Sequence, residues 1–163
     1  MRKLMVGVAL CVLTAATASA QAPAAGVMAP IQKFVDTFNK GDLAGAASTH
    51  AAAADLVIVD ELAPFAWHGV GAFTAWSAAL DADAKKQGIT EPSVKIGAPT
   101  RTEMSGDMAY VVVPVVYSFK LKGVAMTERA QMTYVLKKGP SGWLIHGWTW
   151  TGPKPSAAAA AKK

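Results

Sequence analysis

Asp60 is the residue of this chain best suited by type and neighbourhood to move a proton. It follows the apolar run Leu56-Val57-Ile58-Val59, so a short strand should leave it at a strand end beside the interior. A carboxyl drawn part-way out of water there has its pKa raised, which suits proton exchange next to a carbonyl. The same position also suits a holding role, with the carboxylate accepting hydrogen bonds from the loop Glu61-Leu62-Ala63-Pro64-Phe65-Ala66-Trp67. Glu61 alternates with Asp60 and is expected to point away from it, as a salt-bridging or loop-capping group.

The other polar candidates are scattered. His50, at the end of an alanine-rich helix, is either a base in a binding pocket or a cap on that helix's last carbonyls. His68 stands beside Gly69 in a loop, and His146 lies in the last strand. These three histidines show neither HxH nor HExxH spacing, so no metal site is expected. There is also no glycine-rich phosphate loop, nucleophile elbow or dinucleotide fingerprint, and no cofactor is expected. Trp67 and Trp76 either fill the core or line a pocket mouth.

Three helices should carry the first half of these residues. Pro30 opens the first, whose Ile31, Phe34, Val35 and Phe38 recur on one face, and Gly41 ends it. Asp42 caps a second, short one reaching roughly His50 or Ala53. Val70, Phe73, Trp76 and Leu80 give the third its apolar stripe, and Gly88 stops it. Between them LVIVD reads as a strand and ELAPFAWHG as an irregular crossing.

From Ser93 the apolar period becomes two, with strands over VKIGAPTR, MAYVVVPVVYSFKL, VAMTERAQMTYVLK and WLIHGWTWT joined by short turns. The expected fold is α+β: three N-terminal helices packed on a bent antiparallel sheet in a cone shape, with Pro114 marking the bend. Both faces of the long strand are apolar, so something must cover the second face. Placing Met132, Tyr134, Trp148 and Trp150 on the outer face makes an aromatic patch for a homodimer. The inner face then holds Gln131, Thr133, Gly147 and Thr149 under the helices, with Arg129 and Tyr117 as polar handles at the rim. A register slip of one residue would exchange the two faces.

Composition sets the compartment. Arg2 and Lys3 precede the apolar run LMVGVALCVL, and Ala18-Ser19-Ala20 follows it, the pattern of a signal peptide over residues 1–20. The lone cysteine, Cys11, lies within it, so the mature chain has no thiol chemistry. Removing Arg2 and Lys3 lowers the formal charge from +5 to +3, and Lys154, Lys162 and Lys163 account for as much in the tail. The body is close to neutral and offers no nucleic-acid surface, and no membrane association is expected after cleavage. Residues 21–29 read as a linker, 30–152 as one domain, and 153–163 as a disordered tail.

FVDTFNKGDL, then DLVIVDELAPFAWHGVGAFTAWSAAL, then GWLIHGWTW resemble the SnoaL-like branch of the nuclear transport factor 2-like superfamily over most of residues 30 to 152. Asp60, Glu61, Pro64, Trp67, Gly69, Ala72 and Trp76 are most similar to a secreted bacterial subgroup. The resemblance implies a cone with a pocket between helices and sheet, often dimeric through the sheet, and functions from isomerase, dehydratase and cyclase to plain binding. It also implies that Trp143 and Ile145 face inward, while Gly147 and Thr149 replace inward histidines of relatives. Ketosteroid isomerases of that superfamily combine a carboxylate base with a phenol and a protonated acid. Tyr117 supplies a phenol, but no second acid falls on its expected face.

The expected protein is therefore periplasmic or secreted. It binds a small, mostly apolar organic ligand through His50, Trp67, Trp76, Arg129, Gln131 and Thr149. The alternatives are a cofactor-free lyase or isomerase with Asp60 as base and Tyr117 or Arg129 steadying negative charge, and a structural or partner-binding module. Mass spectrometry of the protein recovered from the periplasm should find Gln21 as its first residue; an intact Met1 would contradict export by this route.

Overall fold

The computed structural model describes residues 21–159; the expected signal peptide lies outside them. Helix α1 spans Gln21–Asn39, with Pro30 inside it. The stretch expected as a linker is thus helical. Its alanines favour helix, and Pro23 falls in the first turn, where a missing N–H costs little. Val27 and Ile31 are fully buried and Phe34 and Val35 nearly so, which continues the apolar stripe back past Pro30. Asn39 fastens the end of this helix to the sheet, its side-chain amide donating to the Val94 carbonyl at 2.7 Å and its oxygen accepting from the Val94 N–H at 2.9 Å.

Helix α2 is short, Leu43–Ala47, with the Asp42 carboxylate accepting from the Gly45 N–H at 2.8 Å. It ends before His50, earlier than expected, because the chain is drawn into the sheet. The Ala51 N–H donates to the Ile145 carbonyl and the Ile145 N–H to the Thr49 carbonyl, at 2.8 and 2.9 Å. Strands β1 (Val57–Val59) and β2 (Ala66–His68) follow. The region expected as an irregular crossing is thus half of a small hairpin, with Ile58 opposite Trp67. Helix α3 covers Ala72–Gln87 and ends at Gly88. Val70 precedes it and is exposed, so the buried stripe begins with Phe73.

The remaining strands are β3 (Ile89–Ile96), β4 (Arg101–Ser105), β5 (Met108–Leu121), β6 (Val124–Gly139), β7 (Gly142–Thr151) and β8 (Ser156–Ala157). The order across the sheet is β2-β1-β7-β6-β5-β3, with β4 also on β5 and β8 also on β6. The sheet is mixed, because β1 runs parallel to β7. Part of the expected disordered tail pairs in β8, where Ser156 and Ala157 meet Thr127 and Met126. VKIGAPTR is not one strand. It breaks opposite Pro114, whose carbonyl accepts from the Gly97 N–H at 2.9 Å. Since a residue's carbonyl and amide positions point to the same side of a strand, the missing Pro114 N–H faces this break and removes no bond to β6.

Two turns decide which residues lie under the helices. Lys122 and Gly123 form a two-residue hairpin turn with φ of 50° and 86°, the conformation of a tight β5–β6 connection. Counting back from it, Val111 pairs with Tyr134, Val113 with Met132 and Tyr117 with Glu128. On β7, Leu136 meets Ile145 while Val135 meets Gly147, leaving His146 as the extra residue of a β-bulge. The bulge changes the parity of the strand. Trp143 and Ile145 face inward as expected, and Trp148 and Trp150 then face inward as well.

The expected dimer patch is consequently interior. Tyr134 is 0% exposed, Met132 3% and Trp148 4%, and all three belong to the central apolar cluster, with Trp150 packed against it. Arg129, Gln131, Thr133, Gly147 and Thr149, placed under the helices by the strict alternation, occupy the opposite, convex side. Any pairing of two copies through the sheet must use that side.

Gly147 is required at the bulge by close approach: an added Cβ would stand 2.9 Å from the Val57 carbonyl oxygen. Gly147→Ala should lower stability by about 1–3 kcal/mol through overpacking, measured by urea unfolding. Thr149→Ala on the same convex side should cost under about 1 kcal/mol.

Candidate functional site

The narrow part of the cone is filled by rings. Phe34 stacks on Trp148 at 6.1 Å with the planes 30° apart and lies edge-on to His50 at 4.9 Å, and Trp76 meets Trp148 edge-on at 4.9 Å. Phe73 and Phe38 close the cluster on the helical side. His50 is part of this packing. Its Nδ1 lies 3.1 Å from the Ala46 carbonyl and its Nε2 accepts from the Trp148 indole N–H at 3.1 Å. A neutral ring protonated at Nδ1 satisfies both contacts. Burial holds its pKa down at about 4, partly opposed by the bond to Ala46. His50 is a neutral joint between α2 and β7.

At the wide end the lining turns acidic. Asp60 leaves β1 and accepts from the Trp76 indole N–H at 2.7 Å on one oxygen and from the Leu62 N–H at 3.3 Å on the other. Glu128 faces Tyr117 across β5 and β6 and is 1% exposed. One of its oxygens accepts from the Trp150 indole N–H at 2.7 Å, and the other, Oε2, is buried with no donor. Trp150 in turn meets the Tyr117 ring edge-on at 6.2 Å. Glu61 approaches Glu128 from the loop, near enough for the two carboxyl groups to act on one another electrostatically. Two ionised carboxylates repel one another, so this approach favours a proton on one of them.

The electrostatics follow from burial and like charge. Desolvation, then the charges of Glu128 and Asp60, push Glu61 up to about 7. Glu128 is also raised, by desolvation first and Asp60 last, against the lowering effect of the bonds from Trp150 and Glu61. Tyr117 is pushed up to about 12 by desolvation and by Glu128, Asp60, Glu61 and Asp83, so its hydroxyl stays a donor at neutral pH. Among the described residues the salt bridges lie elsewhere: Lys85 with Asp81, Arg101 with Glu103, Lys120 with Glu91, and His146 with Asp55.

Of the residues singled out from the sequence, Asp60, Tyr117 and Trp76 are brought to this end. His50 and Trp67 lie in the packed interior. Arg129, Gln131 and Thr149 are on the other side of the sheet, and Arg129 borders a groove of about 460 Å³ at the Pro114 break, with Lys95 and Gly97. That groove contains no acid. Glu128 is the acid missing from the sequence reading, and the Lys122-Gly123 turn was the signal that could have placed it opposite Tyr117. Glu61 does not point away, because strand alternation ends at Val59. No metal-holding group of three or more His, Cys, Asp and Glu residues occurs among the described residues.

The comparisons with known proteins agree with this architecture. A SnoaL-like domain model matches residues 27–148, and the chain belongs to that family. A ketosteroid isomerase-like protein from Erwinia carotovora atroseptica SCRI1043 superimposes with a TM-score of 0.63 at 19% identity, covering 83% of this chain and 99% of its own. A hexachlorocyclohexane dehydrochlorinase of type 2 gives 0.67 at 15%, covering 85% and 90%. A cystatin-like domain from Nostoc punctiforme gives 0.61 at 18%, covering 83% and 80%. At these identities the likeness establishes the nuclear transport factor 2-like fold. No curated protein matches the chain.

The shifted groups give stability two opposing pH slopes. Glu61 has a raised folded pKa, so its contribution is full below about 4.5 and is lost as pH rises through about 7. His50 has a lowered one, so its contribution is full above 6.5 and is lost as pH falls through about 4. Urea unfolding from pH 4 to pH 8 should show the first slope flattened in Glu128→Gln, and the second flattened in His50→Gln provided that variant folds.

Proposed function

We propose that this SnoaL-like protein is exported and binds a small, mostly apolar organic molecule at the wide end of its cone. There the Glu61–Glu128 pair exchanges a proton with the ligand, as in a cofactor-free isomerase or lyase. The observation that carries this reading is the buried, donorless oxygen of Glu128 with Glu61 against it and Tyr117 on the neighbouring strand. A carboxyl near pH 7 is both an adequate base and an adequate acid at neutral pH. Tyr117, kept protonated, can donate to an oxygen on which negative charge develops. Asp60 supports this from behind: its oxygens are engaged by Trp76 and Leu62, and its charge helps keep the pair protonated. Because rings fill the narrow end, a ligand would sit at the mouth, against Trp150, Tyr117 and Phe119.

A second reading, binding without turnover, is favoured by that engagement of Asp60, which leaves the expected base committed to holding Trp76. Deuterium exchange separates the two. Small ketones and enones that raise the melting temperature should be incubated with the protein in D2O and their α-protons followed by NMR. Proton exchange is expected with wild type, reduced at least about tenfold in Glu128→Gln and in Tyr117→Phe. Binding with no exchange in wild type would establish the second reading. Absence of binding by any such compound would remove the proton-exchange reading on carbonyl substrates.

A further inference from the structure

We propose that the group recognised at the mouth is an organic ammonium, held by Glu61 and Glu128 and flanked by the rings of Trp150 and Tyr117. This deepens the small-molecule reading above and rests on it. The starting point is an imbalance of charge. Three carboxyl groups, Asp60, Glu61 and Glu128, act on one another, and Asp83 adds a fourth negative charge felt at Tyr117. The ion pairs of the described residues involve other acids. No basic side chain enters the electrostatics of Glu61, Glu128 or Tyr117.

The second observation is Glu128 itself. A residue 1% exposed keeps one oxygen without a donor, a costly state for a carboxylate unless a donor arrives. Indole N–H groups serve its other oxygen and one oxygen of Asp60, so both indole donors are already used. A proton on one of the two carboxyl groups relieves their repulsion in the free protein. An ammonium N–H does the same work with a full positive charge and several donors, which lets both carboxyl groups ionise. The lining fits the rest of such a molecule: Tyr117 stacks on Phe119 at 4.7 Å and Trp150 stands edge-on to Tyr117 at 6.2 Å, and aromatic faces attract both cations and apolar groups. The half-buried rings of Tyr117 and Trp150 and the exposed Glu61 reach the surface at this end, with Glu128 and Phe119 buried beneath them.

The class of ligand is therefore a small arylalkyl or alkyl amine. The proton on the carboxyl pair must leave when the amine binds, so affinity rises with pH through the range in which Glu61 titrates, up to the pKa of the amine. Asp60 is the other titratable group that acts on the pair, Asp83 acts on the neighbouring Tyr117, and neither supplies a positive charge.

The test compares phenethylamine with 2-phenylethanol, nearly equal in size and differing in charge, by calorimetry at about pH 6 and about pH 8. The amine is expected to bind at least about tenfold tighter than the alcohol at the higher pH. At the lower pH, where the pair still holds its proton, binding should release it, seen as a heat that depends on the buffer's ionisation enthalpy. Glu128→Gln should reduce the preference to under about threefold, with Glu61→Gln as the second variant should the first fail to fold. Equal binding of amine and alcohol would overturn the ammonium inference and leave the small-molecule reading standing. Binding of neither, while ketones still bind, would also overturn the inference alone. Failure of all three classes would remove both.

Discussion

The extra residue in β7 is the constraint on which the rest of the molecule depends. One unpaired position at His146 sets Trp143 and Ile145 on the same side as Trp148 and Trp150, which a regular strand crossing that point could not do. Four large side chains therefore serve one face. The two indoles beyond the bulge have separate tasks, since Trp148 donates to His50 in the packed end while Trp150 donates to Glu128 in the polar end. Gly147 makes this possible, because only a residue without a side chain lets β1 lie so close.

A gradient from apolar to acidic follows from that arrangement. The helices contribute Phe34, Phe38, Phe73 and Trp76, and the sheet contributes Trp148, so the interior excludes water and holds His50 neutral. The acids begin where strand pairing ends on β1 and where β6 extends beyond its pairing with β7. Asp60 and Glu128 each receive one indole N–H, and the second oxygen of the buried Glu128 is left over. An apolar residue at that position would pack more cheaply. Retention of an acid there, beside a phenol and two further acids, is the strongest mark of a binding or reacting site in the described chain.

Much of the architecture was legible in the sequence. Helical spacing from Ile31 to Phe38, the cap at Asp42, the stop at Gly88 and the period-two strands are local signals, and they led to helices on a bent sheet. Pro114 marked the bend because a missing N–H cannot be hidden in a ladder. The faces were less accessible. The Lys122-Gly123 turn sits in the sequence and fixes the pairing of Tyr117 with Glu128, so the second acid was within reach by counting. The bulge was not, since nothing in Ile145-His146-Gly147 distinguishes an extra residue from a regular one except contact with β1, which comes from far along the chain. The helical course of residues 21–29 was masked by two prolines and a glycine. Tertiary burial of Val27 and Ile31 outweighs those local signals.

The parallel pairing of β1 with β7 carries a consequence for how the molecule is made. Val57 and Gly147 belong to opposite ends of the domain, and joining them requires closing a loop that contains α3 and the whole meander. Such a contact has a large entropic penalty and is rewarded only once neighbouring strands are in place. Asp60 and Glu61 reach Glu128 by way of this last seam. The acidic mouth is then a property of the fully closed fold, absent from compact chains in which the hairpins have formed but the N-terminal strand has not docked.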